Sequence, residues 1–189
     1  MSKKHPSHSA LLDFWACFLI PGYTLLFAGS VKWFSTNFSV LAVTGADHYR
    51  GFLVWGVLAG GYFLVMLVKL ARRVPERWLR GVLYGVTVSA CLCLGIGPPL
   101  PYVPQFLPKI AQLHIIMAFS ACALLMLALL VMVLRLGRDF RPFRKGWCAI
   151  VGCCAALFVL AGIISTALEV FFTIAVTLFT RRLWLRVKE

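Results

Sequence analysis

Acidic side chains are scarce in this chain. Only six Asp and Glu occur in 189 residues, and all charged residues together reach just 13%. A water-soluble domain usually carries about 25% charged residues, so an ordinary soluble fold is excluded. Histidine is also sparse, at four residues. His5 and His8 lie in the N-terminal tail, which leaves His48 and His114 with too few carboxylates for a metal centre. No metal is expected. No CxxC pairs with a second cluster. The seven cysteines (Cys17, Cys91, Cys93, Cys122, Cys148, Cys153 and Cys154) fall inside apolar blocks. There they read as small hydrophobes rather than zinc ligands or disulfides. Phosphate-binding loops and redox motifs are absent, and no cofactor is expected. Ser35 and Ser165 lack the G-x-S-x-G setting of an activated nucleophile, so no catalytic residue is identified.

Apolar residues are what the chain has in abundance. They make up 61% of the sequence and are gathered in long blocks separated by short basic clusters. A helix needs ~20 apolar residues to cross ~30 Å of hydrocarbon. The spacing predicts spans over about 10–30, 51–70, 81–97, 108–134, 147–163 and 167–180. Pro21-Gly22 is expected to bend the first, while Gly56, Gly60 and Gly61 let the second approach its neighbours closely. The run Pro98-Pro99-Leu100-Pro101-Tyr102-Val103-Pro104 cannot stay helical and makes a loop. The last apolar block, Trp147 to Thr180, has 34 residues. As one helix it would be ~51 Å long at 1.5 Å per residue, so Gly162, Ser165, Thr166 and Glu169 are read as a turn that divides it.

The net charge of +13 sits at the ends of apolar blocks, which makes it a topology signal. Nucleic acid is not an expected partner. With six spans and a cytoplasmic N-terminus, every basic residue except Lys32, Arg50 and Lys109 falls on the cytoplasmic side, as the positive-inside bias requires. Five spans would translocate the last four. The first stretch is read as a retained span rather than a signal peptide. The expected fold is all-α: one polytopic transmembrane helix bundle of six short spans, both termini cytoplasmic, in the cell membrane. Membrane lipids are the expected partners, including anionic headgroups at the cytoplasmic face, and a homo-oligomer is allowed.

Unusual polarity gathers toward the outward half. The first loop supplies Asn37, Asp47, His48 and Arg50, the fourth span opens with Gln112 and His114, and Glu169 opens the sixth. Ionisable groups in a span are costly and normally face a partner or a cavity, and Glu169 and His114 are expected at similar depth. Asp13 reads as a helix-end group or an arginine's partner, and Asn37-Phe38-Ser39 is a formal glycosylation sequon. These residues point to a ligand-binding site for lipid near the outer leaflet, and the reading leans toward a non-enzymatic protein without deciding it. A membrane-embedded enzyme acting on a lipid or lipid-anchored substrate is the alternative, and a small transporter is the third reading.

Three segments carry a resemblance to the FRAG/DRAM/SFK-type six-span membrane proteins and related bacterial families. They are the loop from Phe34 to Gly45 followed by Arg50, Leu113-His114 with Ala118, and Ser165-Thr166-Ala167-Leu168-Glu169. The resemblance implies a six-span topology and a role connected with lipid-anchor remodelling, autophagy regulation or phospholipid asymmetry.

Overall fold

The computed structural model describes residues 7–29, 31–136 and 140–188, and among them every regular element is helical. The first helix begins as α1 (Ser7–Phe14), widens through a π turn at Trp15–Leu19 and continues as α2 (Ile20–Ala28). Pro21 explains the widening. It has no N–H to bond the carbonyl four residues back, and the helix accommodates it with an Ile20 N–H bond to the Trp15 carbonyl. The inserted residue rotates α1 by about a quarter turn relative to α2. Gly29, at φ 53°, ends α2 in a backbone region open mainly to glycine.

A short helix, α3 (Phe38–Ala42), follows where the sequence shows only a polar loop. Then come α4 (Ala46–Ala71), α5 (Arg77–Ile96), α6 (Pro108–Arg135), α7 (Arg141–Ala161) and α8 (Thr166–Lys188). Helix α7 ends at Gly162, which has φ 68°. The helices are longer than the short spans expected. They run on into the basic linkers, because Arg and Lys are good helix formers and need not stop where the apolar residues do.

Five helices are long and apolar enough to cross a membrane: Ala10–Ala28, Ala46–Ala71, Arg77–Ile96, Pro108–Arg135 and Arg141–Ala161. Helix α8 is of comparable length, 23 residues, but more polar. Its buried residues include Thr166, Val170, Thr173, Thr177 and Thr180, a single stripe at three- and four-residue spacing. Thr180 hides its hydroxyl by donating to the Val176 carbonyl at 2.6 Å. A helix enclosed by other helices can carry such residues, whereas one facing lipid cannot.

Contacts at both ends fix the direction of α8. Its first residue, Thr166, meets Thr36 in the loop after α2, and Arg181 meets Asp13 in α1. It therefore lies antiparallel to the first helix along most of its length. Helix α4 lies parallel to α8: Phe52 clusters with Val170, and the Tyr62 hydroxyl donates to the Thr177 carbonyl. Helix α4 is notched at its glycines. The Phe27 ring lies 3.2 Å from where a Cβ on Gly51 would stand, and Pro98 and Leu94 fill the spaces at Gly56 and Gly60. Helix α7 packs on the outside of α8, where Phe143 is T-shaped to Phe179, and ties to α6 through Trp147 Nε1 on the Met126 carbonyl, with Ile150 its one buried residue.

Candidate functional site

One end of the bundle carries the loops 31–37 and 97–107, α3 and the turn before α8. A buried aromatic layer supports it. Phe38 is T-shaped to Phe27 (5.0 Å) and Trp55 (5.3 Å), and Phe52 stacks on Trp55 at 5.7 Å. Trp55 Nε1 donates to Thr24 Oγ1 at 3.1 Å, so its polar edge is satisfied inside the layer.

The N-terminus of α8 is clamped to the first loop. Its leading amides have no partner within the helix. Thr166 N donates to the Thr36 carbonyl (2.7 Å) and Ala167 N to the Trp33 carbonyl (2.9 Å). The Thr166 hydroxyl adds a second bond to Thr36 O at 3.0 Å. The loop is held in return: Glu169 Oε2 accepts from Phe38 N, the first amide of α3, at 2.6 Å. Glu169 itself lies in the first turn of α8. Asn37 caps α3 by accepting from Val40 N at 2.8 Å.

His114 lies one and a half turns into α6 and is only 3% exposed. Its Nδ1 sits 2.9 Å from the Gly97 carbonyl and 2.8 Å from the Leu100 carbonyl. Its Nε2 sits 2.7 Å from Ser39 Oγ. Carbonyls accept and cannot donate, so Nδ1 carries the proton. In the neutral ring, Nε2 then takes the proton offered by Ser39. Tyr102 and Phe52 close over the imidazole at 5.8 and 6.4 Å.

The residues singled out from sequence therefore divide. His114, Glu169 and Asn37 converge on α3. No hydrogen bond or ion pair joins His114 to Glu169; each instead holds one of two successive α3 residues, Ser39 and Phe38. Asp47, His48 and Arg50 lie apart, exposed on the first turn of α4. Asp47 and Arg50 pair loosely at 3.8 Å, and His48 Nδ1 lies 2.8 Å from Thr44 Oγ1. Gln112 is exposed on α6. Ser39 is the residue that sequence reasoning missed. It sits inside the sequon, 75 positions from its partner, and no local pattern links the two.

At the opposite end, Arg181 is buried and grips Asp13 through Nε and Nη2, each at 2.6 Å. Asp13 is thus the partner of an arginine, one of the two roles its sequence position allows. Lys69 and Arg73 lie over the Trp184 ring at 5.8 and 5.6 Å. Arg135 pairs with Glu76 at 3.6 Å.

Several long apolar helices with polar contacts gathered at their ends are the build of an integral membrane protein. No protein-family model, curated protein or solved structure matches the chain.

Proposed function

We propose that this is a six-span protein of the cell membrane, with both termini in the cytoplasm, that binds or organises lipid through the end bearing α3. The antiparallel course of α8 beside the first helix supports a sixth span, since the two cover the same depth. The basic residues support the orientation. Among the described residues Lys69, Arg73, Arg77, Arg135 and Arg182 gather at the end opposite α3, and the positive-inside bias places that end in the cytoplasm.

The observation that carries the lipid reading is the apolar character of the loop tips. Phe34 is 56% exposed and Phe106 82% exposed, and both occupy non-helical loops that the Ser39–His114 contact brings to one end of the bundle. Aromatic side chains offered by loops at the end of a membrane bundle immerse in the interface. On this reading the ester and headgroup region of an outer-leaflet lipid lies at the end of the bundle that carries the half-buried Ser39.

The protein is reconstituted in vesicles of phosphatidylethanolamine and phosphatidylglycerol, extracted, and read by native mass spectrometry. The expected result is one lipid retained out of proportion to the mixture, and lost when Phe34→Ser and Phe106→Ser are combined. Retention that only mirrors the vesicle composition overturns the reading. For topology, a reporter fused after Glu189 should be active in the cytoplasm; a translocated reporter refutes six spans.

A second lipid contact is supported at the basic end. A crevice of about 440 Å³ lies between α7 and α8, walled by Phe143, Gly146, Ile150, Leu178 and Phe179 and reaching Arg182. An apolar wall ending on a cation suits an acyl chain below an anionic headgroup.

A further inference from the structure

We propose that Ser39 and His114 are a nucleophile and its general base, which cleave an acyl ester presented by lipid at this end of the bundle. This rests on the lipid engagement proposed above and adds a reaction to it. Three features of the geometry point to it.

The first is direction. Two carbonyls fix the proton on Nδ1, so the Nε2 lone pair faces the Ser39 hydroxyl at 2.7 Å. That is hydrogen-bond reach for a base that activates an alcohol. The carbonyls of Gly97 and Leu100 orient the imidazole as a carboxylate does in a serine–histidine–aspartate triad. They are neutral and stabilise imidazolium less, which suits an ester better than an amide.

The second is rigidity. Ser39 is bracketed by two pinned amides, Phe38 N on Glu169 and Val40 N on Asn37. On the histidine side, Leu100 N closes a turn onto the Gly97 carbonyl at 3.0 Å. A Cβ on Gly97 would stand 3.6 Å from Met117 Cβ and 3.1 Å from the Cys93 carbonyl. Gly97 thus sits in close contact with α6 beside His114. A catalytic pair needs this kind of preorganisation.

The third is setting. Ser39 is half-buried, while Phe34, Val40 and Phe106 nearby are exposed, an apolar rim that fits an acyl chain. The mechanism also needs oxyanion donors, and that role falls in this proposal to the amide N–H groups of Asn37, whose Oδ1 caps α3.

The chemistry balances with water as co-reactant. Ser39 Oγ bonds to the ester carbonyl carbon while Nε2 takes the hydroxyl proton. The tetrahedral adduct then expels the alcohol, which recovers that proton from Nε2. Water attacks the acyl-serine with the same base, releasing the carboxylic acid and restoring Ser39.

The test uses the full chain in detergent and a long-alkyl fluorophosphonate probe, with the adduct located by peptide mass spectrometry. The expected result is a single adduct on Ser39, absent in Ser39→Ala and formed at least ~100-fold more slowly in His114→Asn, the scale of general-base assistance. Hydrolysis of a medium-chain para-nitrophenyl ester should fall in parallel. A folded wild-type chain that takes up no probe at Ser39 overturns the proposal, as does an unchanged rate in His114→Asn. The wild-type adduct needs no variant to fold, and melting curves show whether each variant has. Lipid retention is a separate readout: Ser39→Ala that keeps its lipid but loses the adduct supports both proposals. An adduct without selective lipid retention removes the binding reading alone.

Discussion

The carboxylate of Glu169 accepts the backbone amide of Phe38 at 2.6 Å across 131 residues of sequence. It is one half of a reciprocal clamp, in which α8 donates amides to the first loop and takes one back. A hydrogen bond of this kind contributes about 0.5–1.5 kcal/mol net, and a buried amide left without its partner costs about 1–3 kcal/mol. Glu169→Ala should therefore lower the melting temperature in detergent by several degrees, and Glu169→Gln, which keeps an acceptor oxygen, by less. Equal losses in the two would show that the amide bond is not what Glu169 supplies.

Arg181 and Asp13 make the second long-range tie, 168 residues apart. The arginine side chain is 3% exposed and the aspartate 47%, so the pair is asymmetric: removing Asp13 takes a carboxylate away from a buried cation. Losing one partner of a fully buried pair costs about 3–5 kcal/mol and solvent at the half-exposed Asp13 reduces that, while replacing both partners by apolar groups is often nearly neutral. Asp13→Ala should destabilise strongly, and Asp13→Leu combined with Arg181→Met should recover most of the loss. Additive damage in a double-mutant cycle, read by thermal melting, would refute the coupling.

The glycines separate into two groups. Alanine at Gly51 would press on the Phe27 ring from 3.2 Å, while alanine at Gly85 would meet nothing within 4 Å. Overpacking costs about 1–3 kcal/mol, and alanine for glycine on an open helix face gains up to about 1 kcal/mol. Gly51→Ala should melt earlier than the parent and Gly85→Ala no earlier. The reverse order would contradict the close approach of α2 and α4.

The rings at the basic end give a smaller effect. With Lys69 and Arg73 both over Trp184, Trp184→Phe keeps an apolar face but weakens the attraction by about 0.5–1 kcal/mol. Trp184→Leu should lose more than Trp184→Phe in a detergent melt. No difference would show that the cations contribute nothing there.

Much of the helical layout was legible in the sequence, because an apolar block long enough to cross hydrocarbon has few other structures open to it. Gly162 and the polar residues after it mark where the final block turns. Glu169 and His114 stood out as ionisable groups among apolar neighbours. Their partners did not, for a physical reason: Glu169 is answered by a backbone amide, and every residue type but proline has one. Helix α3 was hidden because five residues cannot show a helical period, and Asn37 reads in sequence as a site residue and part of a sequon, with nothing to mark it as a cap. The pairing of Ser39 with His114 exists only once α5, α6 and the first loop are in place. His114 and Glu169, expected at similar depth, do not meet because each holds a different residue of α3.

The threonine stripe of α8 has a consequence for biogenesis. A machinery that sorts segments by their affinity for lipid would find this helix, with its buried threonines and Arg181, a poor candidate for release sideways on its own. Its polar face is matched by α2 and α4, which are synthesised well before it. If α8 is the sixth span proposed above, it is admitted by the assembly already waiting in the bilayer, and a chain whose early helices fail to assemble should leave this segment stranded at the surface, open to proteolytic removal.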